Sequence, residues 1–189
     1  SLTINGEGQL NIDMNSPSGV IIGGGCLQDF GLITVNIEGS LNITSQSGSV
    51  AAIGGGFGGE TSAIDIKGGL ITAELKGESL IGIGAVSGSV GIDLGNCNID
   101  IDAAGQNVIA IGTRNGKVNL DCGSTVAASC SGDNCCCFGS LENGGGSLSF
   151  DGAYCDLAVR SKNGAAIGAV NGNFDIKINS GEYNIFCEG

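Results

Sequence analysis

Histidine and tryptophan are absent from this chain of 189 residues, and proline occurs only once. Without histidine, mechanisms that use an imidazole base and zinc sites with histidine ligands are excluded. Basic residues are also few: seven Lys and Arg stand against 19 Asp and Glu, and the formal net charge is −12. Nucleic-acid binding through phosphates needs the opposite sign, so we expect no nucleic-acid partner.

Long apolar runs are missing as well. No stretch reaches the roughly 18 apolar residues of a membrane-spanning helix, and no charged start followed by an apolar segment suggests a signal peptide. We therefore expect no membrane insertion. Leu2 and Ile4 already alternate like a strand. We interpret the chain as a mature form or as a piece of a longer protein.

Glycine is the residue that stands out among those present, with 37 copies. Collagen needs glycine at every third position together with abundant proline, so a collagen-like chain is excluded. Hydrophobic residues make up 41% and charged residues 14%. A disordered chain shows the reverse balance, and we therefore expect a folded protein with an apolar core.

The dipeptide Ile-Gly marks an internal repeat. It recurs at steps of 27 to 31 residues. A nearly constant period of this size is typical of a solenoid, whereas β-sandwiches and barrels keep no such marker. The marker positions are Ile22, Ile53, Ile83, Ile111 and Ile167, with Phe138-Gly139 in the matching slot.

Each repeat holds three short apolar runs, and the third ends at the marker. The first run alternates strictly between apolar and polar residues, which indicates a half-buried strand. Gly, Asn and Ser separate the runs, as turns require. The inward pairs that we assign to the first run are Leu2/Ile4, Ile33/Val35, Ile64/Ile66, Val90/Ile92, Val118/Leu120, Leu148/Phe150 and Phe174/Ile176.

These patterns predict an all-β protein, a single-stranded parallel β-helix (β-solenoid) with three strands and about 29 residues per turn. Six to seven turns form one domain over residues 1–189. The predicted turns lie near 1–25, 32–56, 62–85, 89–113, 117–140, 146–170 and, incomplete, 173–187.

Two segments carry a resemblance to a known group of proteins. Residues 49–56 (SVAAIGGG) and 63–72 (AIDIKGGLIT) resemble the Gly-rich repeats of large surface proteins from gut Firmicutes. Those repeats are parallel β-helix modules of the pectate-lyase-like superfamily. The resemblance covers almost the whole chain and implies an adhesin, a carbohydrate-binding module, or a polysaccharide lyase or hydrolase.

An outward row of acidic residues is predicted along the first strands. We assign Asp93, Asp121 and Asp151 to equivalent positions of successive turns, between Lys67 and Lys177. Carboxylates stacked roughly 4.8 Å apart repel unless a cation relieves them, and calcium prefers such oxygen ligands. The row is therefore a candidate calcium site or an acidic groove for a polysaccharide; the alternative is a solvated acidic face.

Catalytic residues are not assigned. In the absence of histidine, a lyase base would have to be Arg114, Arg160 or Lys117, and none of these lies in the acidic row. Aromatic residues make up only 4% of the chain, which weakens hypotheses that need sugar stacking. We therefore favour a protein that is not an enzyme.

The third strand is apolar on both of its faces. Counting back from the marker isoleucine by alternation, we expect an outward apolar surface that something must cover. The cover is a second protein or a second copy, a loop or further segment of the same chain, or a flat solid surface. The predicted interface residues are Ile21, Val50, Ala52, Leu80, Val108, Ala110 and Ala166.

Nine cysteines are an odd number, so at least one is unpaired. Two interpretations stay open: disulfides in a secreted protein, or buried free thiols in the protein of an anaerobe. The pairs that we would test first as disulfides are Cys97 with Cys122 and Cys130 with Cys135. A metal site is not favoured, because no paired C-x-x-C elements are present.

The sequence thus predicts a non-enzymatic structural or adhesive solenoid, extracellular or at the cell surface, that presents a rigid face to a protein partner or to itself. Both ends of the solenoid look uncapped, so flanking domains cap them or copies stack end to end. The alternative is a carbohydrate-binding module, assisted by calcium, and a polysaccharide lyase or hydrolase is third. No cofactor is required, although calcium is possible.

Overall fold

The computed structural model describes residues 1–28, 31–46, 48–58 and 61–189. These residues form strands and connecting turns, and none of their segments is a helix that could cross a membrane. The strands are β1 (Leu2–Gly6), β2 (Gln9–Met14), β3 (Ser18–Gly24), β4 (Gly31–Ile37), β5 (Ser40–Gln46), β6 (Ser49–Gly55), β7 (Thr61–Ile66), β8 (Leu70–Ser87), β9 (Ser89–Ala169) and β10 (Gly172–Glu188).

All the strand pairings between these elements are parallel, and they build three faces. The first face stacks β1, β4, β7 and the start of β9, while the second stacks β2, β5, β8 and β9. The third face stacks β3, β6, β8 and β9, and β10 adds a last strand layer to the first and second faces. The result confirms the predicted β-solenoid, with about six turns of about 29 residues.

Stacked asparagines show how the turns follow one another inside β9. Asn134 Nδ2 donates to Asn107 Oδ1 at 2.9 Å, 27 residues earlier, and Asn163 Nδ2 donates to Asn134 Oδ1 at 3.2 Å, 29 residues earlier. On the first face, Ser147 Oγ donates to Asn119 Oδ1 at 3.1 Å over an offset of 28 residues. Equivalent residues of the later turns therefore lie 27 to 29 positions apart.

The core is a column of aliphatic side chains inside the solenoid. The inward residues Ile33, Ile64 and Ile92 stack directly on one another, and each is buried. Parallel strands buried on their inner face favour such β-branched residues, because these pack well on a pleated surface. Later turns place Phe138 and Phe150 in the same column, with their rings edge to face at 5.2 Å between centroids.

The glycine of the Ile-Gly marker is required by the stacking of turns. Gly54 and Gly84 have φ values of +141° and +147°, a region that side chains rarely adopt. A Cβ atom on Gly54 would overlap the carbonyl group of Gly84, and one on Gly84 would overlap that of Gly112. The marker thus repeats because the backbone of each following turn lies where a side chain of the preceding turn would be.

Candidate functional site

On the third face, the residues that were predicted to point outward point into the core. Val50, Leu80 and Val108 are buried in the main core, together with Ala52 and Ala110. Ala166 is also buried, and Ile21 is partly buried against the same core. The prediction that these seven residues form an outward interface is therefore wrong.

A break in the strand ladder explains the inversion. Between β3 and β6 the pairing passes from Val20/Ala51 to Ile22/Ile53, so Ile21 and Ala52 are both unpaired and the register is unchanged. Ala52 and Ile53, although adjacent, both belong to the main core. Two adjacent residues on the same side of the strand shift the alternation by one, which a count from the marker isoleucine cannot detect.

The truly outward residues of the third face are covered by the chain itself. Ala51, Ile81, Ile109 and Cys136 form a second buried cluster with Leu141, which follows the marker in its own turn. Val86, from the equivalent segment of an earlier turn, packs against this cluster. The double-sided apolar strand therefore has an intramolecular cover.

Arg114 links the segment that covers the third face to an earlier turn through polar contacts. Its Nε and Nη2 atoms both lie 3.0 Å from Glu142 Oε1, and its Nη1 donates to Ser79 Oγ at 3.4 Å. Glu142 follows Leu141, and Ser79 opens the third face in an earlier turn. Arg114, one of the bases considered above, is thus part of the scaffold and not of the acidic row.

The acidic row on the first face has a different membership from the one predicted. β7 and β9 pair Asp65 with Asp93, and the 28-residue offset places Asp121 next. Asp151 lies elsewhere, because β10 pairs it with Ser180, whose Oγ donates to Asp151 Oδ1 at 2.8 Å. The assignment of Asp151 to the row is therefore wrong, and Asp65 was overlooked.

Lys67 neutralises one end of the corrected row. Its Nζ lies 2.6 Å from Asp65 Oδ2, and this hydrogen bond with its ion pair raises the pKa of the exposed lysine. The other oxygen of Asp65, Oδ1, is buried without a hydrogen-bond partner. Across the described residues, no three carboxylates or thiols are grouped closely enough to hold a metal ion. The predicted three-carboxylate calcium site is therefore not assembled.

Seven of the nine cysteines are buried, and all nine are free thiols in the structure. The predicted disulfides Cys97–Cys122 and Cys130–Cys135 are thus not present. Cys97 Sγ instead contacts Ser124 Oγ at 3.2 Å. Cys130 meets Cys137, with 3.8 Å between the sulfur atoms. Cys135 was the wrong partner because it and Cys137 both face the core, and Cys137 lies against Cys130.

Another thiol contact joins Cys122 and Cys155. The hydrogen bond from Cys155 favours the thiolate of Cys122 and lowers its pKa, whereas the same contact together with burial raises the pKa of Cys155. Burial, together with the neighbouring thiols of Cys137 and Cys135, raises the pKa of Cys136. Apart from Cys122, the buried thiols with a shifted pKa are held in their neutral form, as apolar packing groups.

The two terminal turns differ from the rest because their apolar side chains are exposed. At the N-terminal end, Leu2 and Leu10 are 41% and 43% exposed. At the C-terminal end, Ile176, Ile178 and Ile185 are 47–52% exposed. Inward residues of interior turns at equivalent positions are fully buried, so the terminal turns present the solenoid core to solvent.

The backbone of the terminal turns is open on the same sides. Among the described strands, β1, β2 and β3 each pair with a single strand, and so does β10. A strand edge of this kind offers a row of N–H and C=O groups as a template for another strand. The exposed apolar residues and the unpaired backbone together form two candidate interaction surfaces, which we call the N-edge (β1 to β3) and the C-edge (β10).

The two edges match each other in register. Leu2 belongs to the ladder that runs through Ile33, Ile64 and Ile92, and the 28-residue offset continues this ladder to Ile176. On the second face, the same argument with offsets of 27 and 29 residues joins Ile12 to Ile185. Stacking a C-edge on an N-edge would thus place apolar residues over apolar residues.

The outward residues of the two edges are compatible as well. In this register, Lys177 falls on Thr3, and Asn184 falls on Asn11. Asn11 already accepts a hydrogen bond from Asn42 Nδ2 at 2.7 Å, so asparagines stack at this position inside the chain. None of these outward pairs brings together two charges of the same sign.

Comparisons with protein-family models, curated proteins and solved structures find no match to this chain. The likeness to Gly-rich repeats of bacterial surface proteins thus stays a prediction.

Proposed function

We propose that this protein is a structural module, not an enzyme, that assembles end to end by stacking the C-edge of one copy on the N-edge of the next. The observation that carries the proposal is the pair of open, apolar and mutually registered terminal turns. β10 lies on the first and second faces. On these two faces each junction repeats the geometry by which one turn follows another inside the chain, with strands about 4.8 Å apart.

Head-to-tail contacts of this kind do not close into a symmetric dimer. The C-edge and the N-edge are different surfaces, and a heterologous contact propagates into a filament unless its rotation closes a ring. A solenoid that turns about its own axis adds each copy along that axis. The assembled form is therefore a straight fibre with the width of one solenoid, which suits an adhesive or scaffolding role at a cell surface.

The acidic composition is consistent with this role. A net charge of −12 discourages side-by-side association, because solenoid walls of the same sign repel. The N-edge strands carry one charge, Asp13, and the C-edge charges are Asp175, Lys177, Glu182 and Glu188. In the stacked register Asp13 falls on Phe186, so no two acidic side chains of these strands are placed on each other. Association along the axis is thus favoured over association between walls, and raising the salt concentration should thicken fibres more than it lengthens them.

The test uses one lysine at each edge. Ile178→Lys blocks the C-edge and Ile4→Lys blocks the N-edge, while Thr72→Lys adds the same charge to an outward position of an interior turn. We expect the unmodified chain and Thr72→Lys to form concentration-dependent linear species in light scattering and negative-stain images. Each edge variant alone should stay monomeric.

A mixture of the two edge variants makes the test specific for head-to-tail stacking. Each variant retains one working edge, so the mixture should give a dimer of one copy each and nothing longer. A monomer at every concentration of the unmodified chain would overturn the proposal. Assembly that survives both edge variants would assign the contact to another surface, and would also overturn it.

A further inference from the structure

The sulfur atoms of Cys130 and Cys137 lie 3.8 Å apart, and both side chains are fully buried in the main core. The two residues stand on either side of the corner between the second and third faces. Gly132, with a φ of +156°, lies in the short segment that joins them. This contact is between thiols of the same turn, so it does not depend on assembly with another copy.

Neighbouring cysteines are less well placed. Cys136 faces the opposite way, into the second cluster behind the third face. Cys135 faces the main core, but its neighbour there is the hydroxyl group of Ser161. Cys137 also contacts the carbonyl oxygen of Ala128, one strand away, at 3.6 Å. Of the three consecutive cysteines, Cys137 is thus the one whose sulfur touches that of Cys130.

We propose that Cys130 and Cys137 are a disulfide-forming pair, which is oxidised when the chain folds in an oxidising compartment. Disulfide sulfurs are bonded at about 2.0 Å, and rotation about the side-chain torsions has to supply the approach from contact distance. The other seven cysteines are not needed for this bond. An uneven number of cysteines therefore presents no obstacle to it.

The reaction is a thiol–disulfide exchange with a small-molecule disulfide such as oxidised glutathione. One thiolate of the pair attacks a glutathione sulfur, forms a mixed disulfide and releases one glutathione thiol. The second thiolate then attacks the protein sulfur of the mixed disulfide and releases the other glutathione thiol. The pair loses two protons and two electrons, and the glutathione disulfide gains them.

Burial decides when this exchange occurs. Both thiols are inaccessible in the folded chain, and the hydrogen bond with Cys137, together with burial, raises the pKa of Cys130. Attack thus requires that the corner be open, as it is during folding. Refolding in glutathione buffer should form the bond, while adding the same buffer to the folded, reduced protein should form it much more slowly.

The experiment refolds the reduced, denatured chain in a mixture of oxidised and reduced glutathione, blocks the remaining thiols and digests the product before aspartate. Cleavage before Asp121, Asp133 and Asp151 separates Cys130 from the three consecutive cysteines. We expect a linked pair of peptides, 121–132 with 133–150, whose mass is lower by two hydrogens than the sum of the free peptides. Fragmentation of this pair should assign the bond to Cys130 and Cys137.

Two matched variants complete the test. Cys137→Ala should abolish the linked pair, and Cys135→Ala should retain it. If Cys137→Ala fails to fold, fragmentation of the linked peptides from the unmodified chain still identifies the two sulfurs. The absence of the linked pair after refolding, or a bond from Cys130 to Cys135, would overturn the proposal. A link between 121–132 and 151–155 alone would assign the oxidation to Cys122 and Cys155 and would overturn it too.

Discussion

Interior and terminal turns of this solenoid are built from the same pattern, yet the same pattern has opposite consequences in the two places. Ile66 lies in an interior turn and is fully buried, whereas Ile178 lies in the last turn and is 52% exposed. Both are inward residues of the first face. A side chain in a solenoid is thus buried by the turns above and below it as well as by its own turn.

This difference separates two roles that one sequence repeat can play. In the interior, stacking removes apolar side chains from water and supplies the stability of the fold. In the first and last turns the equivalent side chains are exposed, and in the proposed assembly they form the contact between copies. The comparison predicts that substitutions will be severe in the interior and mild at the ends, unless the ends are engaged in assembly.

The largest effect should come from the marker glycine of an interior turn. In Gly84→Ala the new Cβ overlaps the carbonyl group of Gly112 and sits on a backbone with φ of +147°. We expect a loss of about 4 kcal/mol or more in the free energy of unfolding, or failure to fold.

The matched control for this prediction is Gly8→Ala in the first turn, where no atom lies within 4 Å of the added Cβ. Urea denaturation followed by circular dichroism measures both variants. Similar stabilities for the two would show that the turns can separate to admit a side chain, and the explanation of the Ile-Gly marker would then be wrong.

A core truncation tests the comparison directly. Ile66→Ala leaves a cavity in a closed column, and we expect it to lower the free energy of unfolding by about 2–5 kcal/mol. Ile178→Ala at the C-edge removes a half-exposed side chain, and less than about 1 kcal/mol should be lost. The measurement is denaturant unfolding at a concentration where the chain is monomeric. Equal losses would mean that the C-edge is covered in solution.

Much of the fold follows from the sequence for a simple physical reason. The Ile-Gly marker reports a backbone clash that every turn must avoid, so its period is the length of a turn. The alternation of Ile33 and Val35, or of Ile64 and Ile66, reports which residues face the core. The repeat period, the number of strands per turn and the inward or outward direction of alternating side chains are local features. They can be read without knowing how one turn is aligned on the next.

Alignment between turns is what the sequence could not supply. The first-face strand of the fourth turn has three inward apolar residues, Val90, Ile92 and Leu94, where two were expected. Such a strand alternates equally well in two registers that differ by two residues. The acidic row therefore came out as Asp93, Asp121 and Asp151, although the structure begins it at Asp65.

The third face shows a second limit of the same kind. A break in the ladder at Ala52 places two neighbouring residues, Ala52 and Ile53, on one side of the strand, and neither residue type indicates such a break. Because the residues on both sides of this strand are apolar, apolar and polar residues do not alternate along it, and the sequence does not show which side faces the core. Leu141 and Val86, which cover the outward side, follow the marker and were not assigned to a strand face.

The reaction rates of individual thiols also distinguish the interior turns from the terminal turns. Cys26 and Cys187 belong to the first and last turns and are exposed. The seven buried cysteines lie between residues 97 and 155. In the fully reduced protein we expect two thiols to react quickly with a chromogenic disulfide reagent, and the other seven at least about 100-fold more slowly, because they react only after local opening.

Denaturant provides the control, since all nine thiols should then react at a similar rate. Cys187→Ser should remove one of the two fast thiols without changing the slow ones. A third fast thiol in the native protein would show that the region between Cys97 and Cys155 opens readily, and would contradict the burial described for its cysteines.

The smallest effect concerns a polar atom that the interior leaves unsatisfied. Thr113 is fully buried, and its Oγ1 has no hydrogen-bond partner. Thr113→Val keeps the shape of the side chain and removes a hydroxyl group that loses its water on folding, so we expect a gain of about 1 kcal/mol in the free energy of unfolding.

Thr44→Val is the control nearer the end of the solenoid. Thr44 Oγ1 donates to Asp13 Oδ1 at 3.0 Å, and the loss of this hydrogen bond should leave stability unchanged or slightly lower. A destabilised Thr113→Val protein would mean that the Thr113 hydroxyl group is hydrogen-bonded in solution. The interior turns would then contain a polar interaction that stabilises the fold.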